Sequence, residues 1–292
     1  MKRIAICLCL SLASILCVAK EITILPQFAV GDTIRYRATA QVISHHENDS
    51  LVSVVKLLPE LIVEEKNDIG FLLSTSNKLE SLSYDSSIPE AKDALPDKTD
   101  EINDIIASVK LRIQLDQDCR PDSILNMAEV KESMLNAIIG MFAKEQGVDI
   151  EGSAEWKMDT EPLLIGAVNM ICTTKHLLEE QFCNIPYFNF TGIPLKSGKI
   201  PVSMVLTDEL QKMCPDLKEL KMEVNQFVNT MELNMSEEDG FYCIRVEGKE
   251  GSAEVEGELL YAGGILSHGF LSVKAESETE KLFSNFIIEG IR

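Results

Sequence analysis

Histidine is scarce in this 292-residue chain: there are four, at positions 45, 46, 176 and 268. That leaves few ways to assemble a metal centre or a histidine-based catalytic pair. His45 and His46 adjoin in "SHHEND", but neighbours on a strand point to opposite faces, so one strand cannot aim both at one ion. In "GILSHG" Ser267 precedes His268. A nucleophile elbow needs Gly-x-Ser-x-Gly, and here the first spacing is one residue too long. No phosphate-binding glycine loop, no dinucleotide-binding turn and no His-Glu-x-x-His occurs. Carboxylates are plentiful by contrast, 47 of them, so paired acids fall everywhere and glycosidase geometry cannot be read from spacing. The expectation is a non-catalytic protein, with no catalytic residue, metal ligand or cofactor to name. The rival class is a secreted hydrolase of glycosidase type that uses scattered acids.

Basic residues are also few. With 27 Lys plus Arg against 47 Asp plus Glu, the formal charge is −20, a field that repels nucleic acid and anionic membrane surfaces. There is no Cys-x-x-Cys, and therefore no signal for a redox motif or a zinc knuckle. Long apolar runs are missing as well. The first, Ile4 to Val18, has 15 residues, too short for a span of roughly 20. It follows Lys2 and Arg3 and fits a secretory signal. Cleavage after Ala19 places Cys17 and Ala19 at the two positions that must be small. Lipid attachment at Cys17 is the less favoured alternative, because Leu16 stands where a small residue is usual. Removing 1–19 takes away only two basic residues and no acid, which leaves a side-chain charge of about −22. The mature chain is expected to be exported, periplasmic or extracellular, with no transmembrane span. Its uncharged stretch Pro162 to Thr174 is 13 residues long and suits a buried helix. Five cysteines remain, Cys119, Cys172, Cys183, Cys214 and Cys243. Five is odd, so at least one thiol stays unpaired in the chain. They read as small buried apolar side chains, or as one disulfide such as Cys172 to Cys183 with the rest free.

What the sequence does contain is alternation. In "TIRYRATAQV", Ile34, Tyr36, Ala38, Ala40 and Val42 share one face, and Thr33, Arg35, Arg37, Thr39 and Gln41 the other. Period two means a strand with one buried and one wet face. A second strand is expected within Leu51 to Glu64, bent or ended near Pro59. A turn at Asn67 to Gly70 precedes a third strand. "VKLRIQLD" repeats the alternation, and the chain turns over Asp116 to Pro121. A polar insert spans 86–104 and ends in a short helix. From Asn126 the period changes. Asn126 with Glu129 three residues on is the Asn variant of a capping box. Val130, Met134, Ala137, Ile138, Met141 and Phe142 form a helical stripe to Gly147. A second helix is expected from about 161 to 181, with Pro162 in its first turn. It is apolar nearly all round at first, and therefore expected to pack on more than one side. "YFNFTG", "KIPVSMVL" and "LKMEVNQF" are candidate strands, with a short helix from Thr207. The last hundred residues are β-rich again, with a hairpin turn at Ala262-Gly263-Gly264.

The plan is α+β: a β-rich part at 20–125, a helical block at 126–185 and a β-rich part at 186–292, which together form one unit or two. The antiparallel meanders curve around two central helices. "DIGFLL" and "EDGFYCI" raise the alternative of two similar half-barrels. "FAVGDTIRYRATAQV" resembles the opening of uncharacterised secreted proteins of gut Bacteroidota, and "ELLYAGGILSHGFLSV" is similar to their closing hairpins. The resemblance implies an envelope location and no catalytic residue. A sheet wrapped over helices also resembles lipoprotein-carrier half-barrels, by analogy of fold alone. The function expected is binding of an apolar small molecule or a lipidated envelope partner. Its lining would be Met134, Ile138, Met141 and Phe142 on the first helix with Leu164, Val168 and Ile171 on the second, since methionine adapts to varied apolar shapes. A scaffold or adhesion protein working through its acidic face is the further alternative.

Overall fold

The computed structural model describes residues 21–46, 49–87, 99–146, 161–173, 177, 190–199, 232–276 and 280–291. The alternating N-terminal segments become β2 (Thr33–His46), β3 (Asp49–Leu57), β4 (Glu60–Lys66), β5 (Phe71–Ser76), β6 (Leu79–Ser86), β7 (Leu111–Leu115) and β8 (Pro121–Ile124), after a short β1 (Ile22–Thr23). Helix α1 (Thr99–Ser108) interrupts them, and α2 (Met127–Gln146) and α3 (Glu161–Ile171) follow. The chain then gives β9 (Pro194–Leu195), β10 (Gly198–Lys199), β11 (Glu232–Glu238), β12 (Phe241–Glu250), β13 (Ala253–Ala262), β14 (Ile265–Glu276) and β15 (Glu280–Ile291). The fold is α+β and dominated by antiparallel sheet.

One 13-stranded sheet holds nearly every strand, with β1 and β9 in a separate pair. β3 and β4 keep a single register against β2, so they form one long strand broken at Leu58-Pro59. Proline has no N–H for the ladder and sits in the break. There the Tyr36 N–H donates to the Pro59 carbonyl at 2.9 Å, and the Leu58 N–H donates to Lys78 at 2.8 Å. β6 and β5 continue each other in the same manner beyond that break. The order across the sheet is β10-β11-β12-β13-β14-β15-β2, then β3 with β4, β6 with β5, then β7 and β8. Most described strands of this sheet lie beside a chain neighbour; β7 instead pairs with β5, and all twelve residues of β15 pair with β2, from Glu280 opposite His46 to Ile291 opposite Arg35. The two meanders therefore merge in a single sheet rather than two separate halves, and the sheet is open at β8 and β10 among the described residues.

The turns explain the register. Gly263 and Gly264 are the two central residues of the β13–β14 hairpin, with φ of 58° and 77°. Positive φ at both is the primed turn that suits strand twist, and glycine reaches it without penalty. Gly269 in β14 permits a close approach: a Cβ there would lie 2.6 Å from Leu259 Cδ2 and 3.2 Å from Ile288 Cγ2.

Several local readings change. β6 has no counterpart in the sequence reading. Asn126 does not cap α2 with its side chain. Its amide is spent on the β7 edge, accepting from the Arg112 N–H at 2.8 Å and donating to the Lys110 carbonyl at 2.9 Å. Helix α3 ends at Ile171, and Cys172 and Thr173 are not helical. The Thr173 carbonyl accepts from the Leu177 N–H at 2.9 Å, and Leu177 is helical again; the rest of the expected span to about 181 lies outside the described residues. Nor is α3 packed on more than one side. Val168 is buried, but Leu163 and Met170 on the far side are 74% and 75% exposed. The candidate strands at 199–206 and 220–227, the helix from Thr207 and the cap at Gly147 lie outside the described residues, apart from Lys199.

Side-chain burial follows the alternation. Ile288 on β15 is fully buried, while its neighbour Ile287 faces the other way and is half-buried. Replacing Ile288 with Ala is expected to cost about 3 kcal/mol, transfer and cavity together. Ile287→Ala should cost about a third of that. Urea unfolding of the two variants checks the assignment of faces.

Candidate apolar ligand site

Partners across an antiparallel ladder share a face, so the register maps the inner side of the sheet. One row runs Leu79, Leu57, Ala38, Ile288, Gly269, Leu259, Ile244, Met235, from β6 to β11. The next runs Leu82, Val55, Ala40, Phe286, Leu271, Gly257, Val246, Leu233. A third passes through Val42, Ser284, Val273 and Val255, and a fourth through Leu51, Ser44, Leu282 and Ala275. The apolar face is thus continuous across the sheet. The helices sit over one end of it. α1 packs on α2 and β6, and α2 packs on α3. Val130 and Met134 of α2 and Val168 of α3 join Leu61, Val63, Ile113 and Ile288 in one core.

Away from that end the cover thins. On the central strands Val42 is 36% exposed, Leu271 37% and Leu282 43%. These three share the side whose other members, Ala38 and Ile288, are buried. A face built as core therefore runs out into solvent along β2, β14 and β15.

The residues expected to line a ligand layer divide. Met134 and Val168 are buried in the core, Ile138 packs against it, and Met141 and Leu164 are half-buried. Phe142 and Ile171 belong to α2 and α3, and their side chains lie outside the described residues. Met134 Sδ touches Cys172 Sγ at 3.5 Å, a contact between two polarisable groups inside the core. Sequence reasoning placed the site on the helices and missed Leu271, Leu282 and Phe286. The alternation of "GFLSVKAE" and "KLFSNFIIEG" told which side each takes, and only the register told that they meet Val42.

The polar side chains singled out in the sequence lie as follows. Ser267 donates its hydroxyl to the Leu260 carbonyl at 2.9 Å. His268 lies on the outer side with its Nδ1 4.0 Å from Glu289. His45 is exposed on β2, and His176 lies outside the described residues. Cys119, Cys172 and Cys243 are free thiols, so the pairing of Cys172 with Cys183 is not formed. Burial pushes the Cys119 thiol up to about 11, with Asp116 and Asp118 adding to it. Burial raises Cys172 against the opposing charge of Lys131. The phenols of Tyr36 and Tyr261 are raised by the same cause.

No family model and no curated protein matches this chain. Among solved structures it is similar to lipovitellin, studied for its lipid–protein interactions, at 8% identity and a TM-score of 0.40, covering 91% of this chain and 26% of that one. This chain therefore spans about a quarter of the lipovitellin chain. It is also similar to an outer membrane channel from Pseudomonas putida, at 8% identity and a TM-score of 0.18, covering 91% of this chain and 97% of that one. Both scores lie below the level at which two chains share a fold.

The raised thiol makes stability depend on pH. The folded chain keeps the Cys119 proton that the unfolded chain releases near 9. The contribution of Cys119 is whole below that pH and lost as pH rises toward 11. The two tyrosines act in the same sense from about pH 10 upward. Urea unfolding from about pH 8 to about pH 10 should show falling stability, with a flatter slope for Cys119→Ala.

Proposed function

We propose that this chain is an exported cell-envelope protein without catalytic activity that binds an apolar small molecule or the acyl group of a lipidated partner. The binding layer is the inner side of the curved sheet. It begins under α2 and α3, where Ile138, Met141 and Leu164 are not fully buried, and continues over Val42, Leu271 and Leu282. In this reading the sheet works as a half-barrel and the helices as a partial cover.

The observation that carries the reading is the exposure of those three residues on the face that elsewhere carries the core residues Ala38, Ile288, Leu259 and Ile244. Exposed apolar side chains scattered singly need no explanation, but grouped ones mark interaction sites. Phe286 stands opposite Leu271, and Val42, opposite Ser284, lies diagonally between Phe286 and Leu282, so the group is contiguous. Covering it recovers roughly 25 cal/mol per Å2 of apolar area removed from water. Export is supported by the apolar run behind Lys2-Arg3 and the small residues at 17 and 19.

Titration with N-phenyl-1-naphthylamine, an uncharged probe that fluoresces in apolar surroundings, tests the site. Saturable binding in the micromolar range is expected. Leu271→Glu and Leu282→Glu, at positions already open to water, should each weaken it by about tenfold, or about 1.4 kcal/mol, with the unfolding midpoint almost unchanged. Absence of saturable binding, or equal binding by the variants, rejects the site. A co-purifying apolar ligand seen by native mass spectrometry of protein from its own host would identify what is carried.

A further inference from the structure

The side of the sheet away from the helices has a pattern of its own. α2 and α3 pack on the inner side, with Ile288. On the outer side the register sets three neighbouring rows across β3, β2, β15 and β14. The middle row is polar and uncharged, with Gln41, Asn285 and Ser272 side by side. Apolar pairs flank it, Ile287 opposite Phe270 in one row and Ile43 opposite Phe283 in the other. All seven side chains are half-buried.

Charge is held off this patch, in a chain whose formal charge is −20. The nearest charged residues in the same rows are Lys56, Asp85, Lys274, Glu256 and Glu258. Glu258 is ion-paired to Arg245 at 2.6 Å, and the other four cancel. The amides of the middle row are also unspent. Gln41 and Asn285 are partners across the ladder, near enough to bond each other. Among the described residues neither side chain makes a hydrogen bond. Each can donate and accept at once, and half-buried amides gain from a guest that does both.

We infer that this patch binds a neutral glycan, a chain of uncharged sugar units, independently of the apolar layer on the inner side. Sugar hydroxyls donate and accept, as Gln41, Asn285 and Ser272 require. The C–H faces of the sugar rings stack on the negative faces of Phe270 and Phe283. These two phenylalanines lie on neighbouring strands, offset by four residues, or about 14 Å at about 3.4 Å per residue. A short oligosaccharide laid along the strands reaches both and passes Asn285 between them. Size speaks against a protein partner. Three rows over four strands cover roughly 350 Å2 at about 4.8 Å per strand, whereas a stable interface takes about 800 Å2 from each partner. The lack of net charge speaks against a charged polymer.

Isothermal titration with cellohexaose, maltohexaose and mannohexaose tests the site. At least one is expected to bind with a dissociation constant between about 0.1 and about 1 mM, unchanged by salt because no charges meet. Asn285→Leu keeps the bulk and removes the amide, and Phe270→Leu keeps an apolar side chain and removes the ring. Each should weaken binding about fivefold and leave both the thermal midpoint and the binding of N-phenyl-1-naphthylamine unchanged. In the unmodified protein the side-chain NH2 signals of Gln41 and Asn285 should shift during an NMR titration with the hexasaccharide that binds. Binding of no hexasaccharide, equal binding by both variants, or unmoved amide signals rejects the glycan site and leaves the apolar site untouched. Tighter binding of dextran sulfate than of any neutral hexasaccharide assigns the face to polyanions and overturns the proposal. So does dimerisation in sedimentation that Phe270→Leu abolishes, since a second copy would then occupy the face.

Discussion

The alternation that begins at Ile34 and Tyr36 commits each strand to one apolar side, and the register carries that side across the whole sheet. An apolar face this wide has to be removed from water. The described helices cover one end of it. There Ile288, Ile244 and Val63 are fully buried with Val130 and Val168. Both the stability of the molecule and its candidate site come from the same surface, differing only in whether a helix lies above it. The boundary between core and site is a boundary of coverage, not of composition.

Much of the strand structure was legible. Strict alternation marked β2 and β7, Pro59 marked the break between β3 and β4, and β12 to β15 fall in the last hundred residues, expected to be β-rich. β6 was not legible. "LESLSYDS" is rich in serine, and its register shifts between Lys56 and Leu57 of its partner, which disturbs the alternation that would have marked it. Asn126 misled for a different reason. Capping is local and visible in sequence, whereas hydrogen bonding to Lys110 and Arg112 depends on where β7 lies. The union of the two β-rich parts could not be read at all. Pairing of β15 with β2 joins residues from opposite ends of the chain, and no local pattern announces it. The candidate site suffered similarly: the helical stripe was recognised, but Met134 and Val168 went to the core, and the open part of the layer formed on strands whose neighbours are distant in sequence.

The outer side of the sheet works by different rules. Arg35 with Glu60, Arg37 with Glu80, Arg112 with Glu64 and Arg245 with Glu258 form ion pairs between strands. Their arginines are about half exposed, so water screens each pair and its direct contribution to stability is small. Their larger effect is on register. A slip of one residue would turn Arg35 and Arg37 inward and Ile34 and Tyr36 outward, at the cost of burying charge. The acids not used in these pairs leave the surface strongly negative.

The place of β15 beside β2 also governs the order in which the molecule can be completed. β2 is the first long strand to emerge and β15 the last, yet they are neighbours in the middle of the sheet. Until β15 has been made, β2 has one edge without its partner, and an unpaired apolar strand edge invites association with other chains. A chain stopped before Glu280 would lack a central strand, not a dispensable tail. In topological terms β15 and β2 are neighbours in the sheet that no turn joins. A short link between the region of Ile291 and that of Thr33 would turn the junction into one more hairpin, and the ends of the chain could then be moved to another turn without changing which strands touch.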